Sequence, residues 1–340
     1  MKRIIVILAT VLMFVPIVVF ANGTSDAGGE IVLGANIYSF ADNFMNGVMK
    51  PELERYAAEK GVSINIVDSE GQQAKLNDQI DVFITKDVDV LVINLVDPAS
   101  AANVIEKAAE AGIPLVLFNK EATEAGVMGT YNKVWYVGTN SAESGIIQGE
   151  LMVADWKVHP EWDKNNDGTV QYVLLKGEPG HPDAEARTIE SVKAFRDAEI
   201  PVEQLALEAD PNWSTQHGND KMQAWLTSSF GDRIELVICN NDGMAFGAIN
   251  ALKAAGVLLP LYGVDALDQA LTHIEDGEMN GTVLNDGVGQ SRATVDLAIN
   301  AAMGKEDVTE GTNWVIEDNV SKAVRVPYVA VTPENYQDFR

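Results

Sequence analysis

Polar residues of complementary type recur along this 340-residue chain at points where apolar runs end. They are Asp42, Asn119, the group His181, Asp183 and Arg187, and then Asn241, Asp265 and Asn285. Three carboxylates in the set can accept hydrogen bonds, while Asn, Arg and His can donate them. A hydroxyl both donates and accepts, so such a set suits a polyhydroxylated ligand such as a sugar. Phe44 and Trp213 stand among polar neighbours, where a ring could cover the apolar C–H face of a pyranose. Singly, each polar residue reads as a helix cap or turn residue, and each aromatic as ordinary packing. Their recurrence at one end of successive elements is what points to a shared site.

A second cluster reads differently. Asp163, Asn165, Asp167, Thr169 and Gln171 occupy positions 1, 3, 5, 7 and 9 of a calcium-type loop, with Gly168 at position 6. Position 12, where such a loop needs a bidentate Glu, is Leu174. The loop is therefore incomplete on its own.

Other chemistries find little support. No serine elbow and no G-x-G-x-x-G opening a helix occurs, and the one cysteine, Cys239, lies in an apolar run. A single cysteine excludes an internal disulfide framework and cysteine-based zinc clusters. With 24 basic against 50 acidic residues, the net charge of −26 argues against a nucleic-acid surface.

The elements that must position these residues follow a strand–helix–strand rhythm. Apolar, β-branched runs at 31–37, 62–67, 88–95 and 113–118 alternate with helical stretches at 72–85 and 99–111. The rhythm resumes at 170–176, 234–239, 259–264 and 281–284. Runs apolar on both faces predict parallel strands covered by helices on two sides, a doubly wound α/β fold. An internal echo divides the chain. Leu91-Val92-Ile93 matches Leu236-Val237-Ile238, each followed by a helix with Lys-Ala-Ala and then a second strand. The echo predicts Asn119 and Asp265 at equivalent strand ends, where open parallel sheets bind ligands. Two lobes facing each other bring both residues into one cleft. At the start, Lys2 and Arg3 precede an apolar stretch to Phe20, and Val19 and Ala21 suit a signal cut before Asn22. An uncleaved anchor is the alternative. An acidic, cysteine-poor exported chain fits the periplasm.

Several segments then resemble the periplasmic galactose/glucose-binding proteins. They are Asp42-Asn43-Phe44-Met45, Asn77-Asp78-Gln79-Ile80-Asp81-Val82, Ile93-Asn94-Leu95-Val96-Asp97-Pro98 and Phe118-Asn119-Lys120-Glu121. Thr282-Val283-Leu284-Asn285-Asp286 and the long run Gly177-Glu178-Pro179-Gly180-His181-Pro182-Asp183-Ala184-Glu185-Ala186-Arg187 complete them. Ala41, often acidic in that family, and the rewritten stretch 125–130 depart from it. The resemblance implies a type I periplasmic binding protein: two similar doubly wound lobes joined by a multi-strand hinge. It implies lobes at 30–139 plus 285–321 and 140–284 plus 322–340, with crossings near 138–141, 284–287 and 319–323. It places the sugar contacts on Asp42, Phe44, Asn119, His181, Asp183, Arg187, Trp213, Asn241, Asp265 and Asn285, with Phe44 and Trp213 sandwiching the ring. It closes the metal loop with Glu235 and so implies one structural calcium ion. It further implies a monomer that is no enzyme. Such a protein captures D-glucose or D-galactose, closes, and delivers the sugar to the permease of an ABC importer and to a chemotaxis receptor. Two other classes compete. An exported sugar-modifying enzyme needs only two carboxylates with no fixed spacing in sequence. A sugar-responsive transcription regulator is opposed by the export signal and by the lack of a basic helix-turn-helix.

Overall fold

A computed structural model describes residues 30–317 and 320–340. The export signal at 1–21 and its cut before Asn22 lie outside the described residues.

Two parallel sheets organise the chain. The first takes β1 (Val32–Ile37), β2 (Ser63–Asp68), β3 (Val90–Ile93), β4 (Leu115–Phe118), β5 (Val134–Gly138) and, much later, β11 (Ala323–Arg325). Their spatial order is β11-β5-β4-β3-β1-β2, every pair parallel. The second takes β6 (Val170–Lys176), β7 (Val202–Ala209), β8 (Leu236–Cys239) and β9 (Leu261–Tyr262) in the order β7-β6-β8-β9. Parallel bridges from Tyr262 to Gly281 and from Asp265 to Leu284 carry it on to β10 (Thr282–Leu284). There β10 pairs antiparallel with β12 (Val329–Val331). β3, β4 and β8 are buried at every position, as strands covered on both faces must be.

The covering helices are α1 (Lys50–Glu59), α2 (Gln73–Thr85), α3 (Ala101–Ala111), α4 (Ser141–Val158), α5 (Pro182–Asp197), α6 (Thr215–Leu226), α7 (Asp242–Ala255), α8 (Asp268–Glu275) and α9 (Gly287–Ala302). α4 packs on α5 and α6 on α7 beside the second sheet, whereas α9 returns to pack on α1 and β3 of the first. The internal echo has a physical basis. β3-α3-β4 and β8-α7-β9 are equivalent units, and α3 and α7 both end in a left-handed glycine, Gly112 and Gly256.

The chain crosses between sheets three times: after β5, after β10 and after β11. The last crossing corrects the expected boundary at 321/322. β11 pairs with β5 in the first sheet, and Val326 N–H still donates to Gly138 O at 2.8 Å, so the chain leaves the first lobe only beyond Arg325. The crossing placed near 319–323 therefore moves to about 326–328; Asn319 itself lies outside the described residues. Phe44 sits at the helical turn leading into α1.

Candidate functional site

Strand ends and helix starts converge between the two sheets. His181 caps α5: its Nδ1 accepts the Asp183 N–H at 3.1 Å, and Pro182 starts the helix with the φ it prefers. One helical turn then brings Asp183 and Arg187 to the same face. Asn241 caps α7 by accepting the Met244 N–H at 2.9 Å, and its amide donates to Trp213 O at 3.2 Å. Asp42 accepts the Met45 N–H at 2.9 Å through Oδ1 and the Tyr38 hydroxyl through Oδ2. The cap readings of His181 and Asn241 thus hold, and the same side chains stand at the space between the lobes.

Three further members sit on unusual backbone. Asn119, Trp213 and Asp265 have φ of 59°, 54° and 126°. Asn tolerates the left-handed region, but for a bulky Trp it is costly, and strain of this kind persists where surrounding structure enforces it. The Trp213 ring lies against Gly177, where an added Cβ would stand 2.1 Å from the ring edge; no other residue fits.

All ten residues line one pocket between the lobes, with about 320 Å³ of atom-free space that includes the solvent at its mouth. Asp42, Phe44, Asn119 and Asn285 come from the first lobe and its crossing, the other six from the second. Tyr38 and Met45 also line it, and sequence reasoning did not single them out. The available signal for Tyr38 was its place directly after β1, equivalent to Asn119 after β4. A larger depression beside it, with about 1290 Å³ of atom-free space that likewise includes solvent, shares Asp265 and Asn285 with it.

Arg187 is the electrostatic centre, only 3% exposed. It donates to Asn240 O at 2.8 Å, the Tyr328 hydroxyl at 3.1 Å and Ser144 Oγ at 3.2 Å. Asp183 and Asp265 stand 3.7 and 4.0 Å from its guanidinium. Burial opposes its charge, yet Tyr328, Asp183 and Asp265 hold its pKa above the ordinary value. Burial drives His181 the other way, down to about 3, so the ring is neutral and free to accept at Nδ1. Burial raises Asp265, against the pull of Arg187. The hinge joins this network directly, because Tyr328, in the third crossing, also accepts from Thr139 Oγ1 at 3.0 Å. Across the mouth, the wholly buried Lys120 ammonium donates to Glu178 of the opposite lobe at 2.6 Å and to Val96 O at 3.1 Å. It lies 3.7 Å over the Tyr38 ring.

The 163–171 loop lies apart, before β6. Asp163 accepts from Asp167 N–H at 3.1 Å and Gly168 N–H at 2.9 Å, with Gly168 at φ 73°. Glu235, just ahead of β8, accepts from Lys164 N–H at 2.7 Å and Gln171 N–H at 3.0 Å, which joins the loop to the neighbouring strand. Burial first, and then Asp163 and Asp167, raise the Glu235 pKa. Gln171 Oε1 is buried without a partner. Among the described residues no three His, Cys, Asp or Glu side chains form a metal-holding group by themselves. A cation here would depend on Asn165, Gln171 and a carbonyl as well.

Residues 34–306 match the family model for the periplasmic binding protein domain. The chain is 47% identical over 308 residues to the D-galactose/methyl-galactoside binding periplasmic protein of Haemophilus influenzae, covering 90% of this chain and 91% of that one. Among solved structures it is similar to an ABC transporter solute binding protein from Bacillus halodurans with bound myo-inositol. There the TM-score is 0.74 and the identity 28%, covering 92% of this chain and 97% of the other.

Proposed function

The chain belongs to the periplasmic binding protein family, and from that premise we propose that it captures D-galactose or D-glucose between its lobes and presents it to an ABC importer. The observation that supports this most is the interlobe pocket, where Phe44, Trp213 and Tyr38 stand among eight further hydrogen-bonding side chains. Phe44 and Trp213 cover the two faces of the pyranose; Asp42, Asp183 and Asp265 accept from its hydroxyls; Asn119, Asn241, Asn285 and Arg187 donate. The similarity to a relative named for galactose binding supports the hexose choice. Because Asp42 can accept from an axial or an equatorial hydroxyl, both epimers fit.

Energetics agree with binding alone. Micromolar affinity requires about −8.2 kcal/mol, or about −0.7 per non-hydrogen atom of a hexose, inside the range small ligands reach. Charged hydrogen bonds reach that strength only away from water. Closure is therefore part of the mechanism: the lobes rotate about the three crossings, and Lys120 meets Glu178 only when they come together. The closed form is what the permease, and a chemotaxis receptor, read. The chain is exported by a signal cut after Ala21 and works as a monomer in the periplasm.

The 163–171 loop holds one calcium ion in this reading, through Asp163, Asn165, Asp167, the Thr169 carbonyl, Gln171 and Glu235. An all-oxygen donor set suits calcium, and the buried, unpartnered Gln171 Oε1 supports its place there. The ion supplies a crosslink between the loop and the segment before β8.

Isothermal titration against D-galactose, D-glucose and D-ribose, with product analysis of the same samples, tests the reading. Tight heat with the hexoses and unchanged sugar support it. A preference for ribose overturns the hexose assignment, and any product overturns binding without chemistry in favour of a sugar-modifying enzyme.

A further inference from the structure

Asp265 carries the second lobe's counterpart of Asn119, but its backbone does not hold itself. Asp265 and Ala266 are consecutive non-glycine residues at positive φ, 126° and 53°. An L-residue leaves such a conformation unless neighbouring groups enforce it. Asp265 N–H is held by Val283 O at 2.8 Å, a bond from β10. The following turn is held by one side chain from another element, Asp242, the first residue of α7. Its Oδ2 accepts the Leu267 N–H at 2.9 Å, and its Oδ1 accepts the Thr282 hydroxyl at 2.8 Å. Thr282 Oγ1 in turn accepts the Ala266 N–H at 3.4 Å. Asp242 is wholly buried. It approaches so closely that a Cβ at residue 263 would stand 2.2 Å from its Oδ1, which explains Gly263.

We propose that Asp242 is a positioning residue for ligand binding: through Leu267 and Thr282 it fixes the 265–267 turn and so aims the Asp265 carboxylate into the cavity. The inference rests on the sugar-binding reading for what Asp265 then does. Asp242 does not line the cavity itself, so it acts only through the turn. Asp265 keeps acceptor capacity for a ligand, since Asn285 Nδ2 at 3.3 Å is its one side-chain donor within hydrogen-bond reach. Burial raises the pKa of Asp242 to about 7, the cost of placing a carboxyl there without a cation in contact. A cost borne at a residue that touches no ligand fits a positioning role.

The test combines titration with D-galactose and amide hydrogen exchange on Asp242→Asn, Thr282→Val, Thr282→Ser, Asp265→Asn and the double variant of Asp242 and Asp265. Asn at 242 turns an amide NH₂ toward one of two donors. Galactose binding is expected to weaken about tenfold, the loss of one charge-assisted hydrogen bond. Thr282→Val is expected to weaken binding severalfold, and Thr282→Ser, which restores the hydroxyl, to bind like the wild type. If Asp242 acts through Asp265, its substitution changes affinity less than about twofold once Asp265 is Asn. Without any sugar, the Leu267 amide is expected to exchange at least about tenfold faster in Asp242→Asn and Thr282→Val, while core strand amides stay protected. Losses that multiply in the double variant overturn the proposal, as does a Leu267 amide that exchanges at the wild-type rate. Should the wild type give no heat with galactose or glucose, the sugar-binding reading falls and the exchange result alone decides the role of Asp242.

Discussion

Around the interlobe cavity Asp183 and Asp265 share the guanidinium of Arg187 while Asp42 accepts from the Tyr38 hydroxyl; around the 163–171 loop three carboxylates, Asp163, Asp167 and Glu235, face backbone amides and one another. The nearest ammonium to the loop, Lys164, turns away to donate to Ile234 O at 2.6 Å. The two regions use similar residues and reach opposite states. In the cavity a buried guanidinium meets part of the acids' charge from within, and Lys120 pairs with Glu178 at the mouth. The loop has no guanidinium among its acids, and in the proposed reading a calcium ion supplies that counter-charge.

Removing the guanidinium breaks that difference, with the largest expected effect. Arg187→Met leaves Asp183 and Asp265 buried without a counter-charge, and about 3–5 kcal/mol of closed-state stability is lost. Galactose affinity should fall more than about a hundredfold by titration. Asp183→Ala, which unpairs Arg187 on one side, should cost at least about 2 kcal/mol by the same measurement. An Arg187→Met protein that binds normally would refute the balance argument.

The loop gives the next largest effect. A ligand that binds only the folded state adds about 2.7 kcal/mol at a hundredfold excess over its Kd. Chelation should therefore lower the melting temperature of the wild type, and Glu235→Gln should lower it in calcium while leaving galactose affinity nearly intact, since no loop residue lines the cavity. Identical melting curves with and without chelator, in both proteins, would reduce the loop to a solvated turn. Smaller again is Glu178→Gln. It leaves the buried Lys120 ammonium facing a neutral amide in the closed form only, and Glu178 is partly exposed, so about a tenfold loss in affinity is expected. Small-angle scattering at saturating sugar should still show the compact form; a compact form without sugar would mean that the ion pair does not depend on ligand-driven closure.

How much of this was legible in the sequence follows from what each element buries. Strands covered on both faces, such as β3, β4 and β8, announce themselves as apolar runs, and the polar residues at their ends are visible by contrast. β7 is an edge strand whose Glu203, Gln204 and Glu208 interrupt its apolar residues and whose positions are exposed or half-buried, so no continuous run marks it. β5 follows β4 without an intervening α-helix, which interrupts the rhythm that reveals the others. β11 is three residues long and gains its identity from pairing with β5, 187 positions earlier in the chain, information no local pattern holds. In the site, acids and amides stood out while Tyr38 did not, because a tyrosine after an apolar strand reads as core. Its role depends on contacts with Asp42 and Lys120 that only the fold creates. Asp242 was visible as a polar residue at a strand end, yet its partner Thr282 is set by topology.

The smallest effect concerns pH and His181. Burial holds its native pKa at about 3, below the ordinary value near 6.5, so the folded ring stays neutral. The Asp183 N–H that Nδ1 accepts requires that neutral form. Below about pH 6.5 the unfolded chain binds a proton that the native chain refuses, so stability falls as pH falls, over a window from about 6.5 down to about 3. Between pH 7 and pH 6 the loss amounts to about 0.7 kcal/mol for an unfolded-state pKa near 6.5. Asp242, raised to about 7, acts in the opposite direction over the same interval, because the native state takes up its proton first. Wild-type stability alone therefore mixes the two. The difference between wild type and His181→Gln cancels Asp242, which both proteins carry, and isolates the histidine. Urea unfolding at the two pH values should show the wild type losing about 0.7 kcal/mol relative to His181→Gln on acidification. A difference that does not change with pH would mean that His181 titrates in the native state as it does in the unfolded one, and that the cavity is open enough for water to reach it. The comparison with the loop would then lose its premise, since an open cavity no longer needs Arg187 to balance its acids.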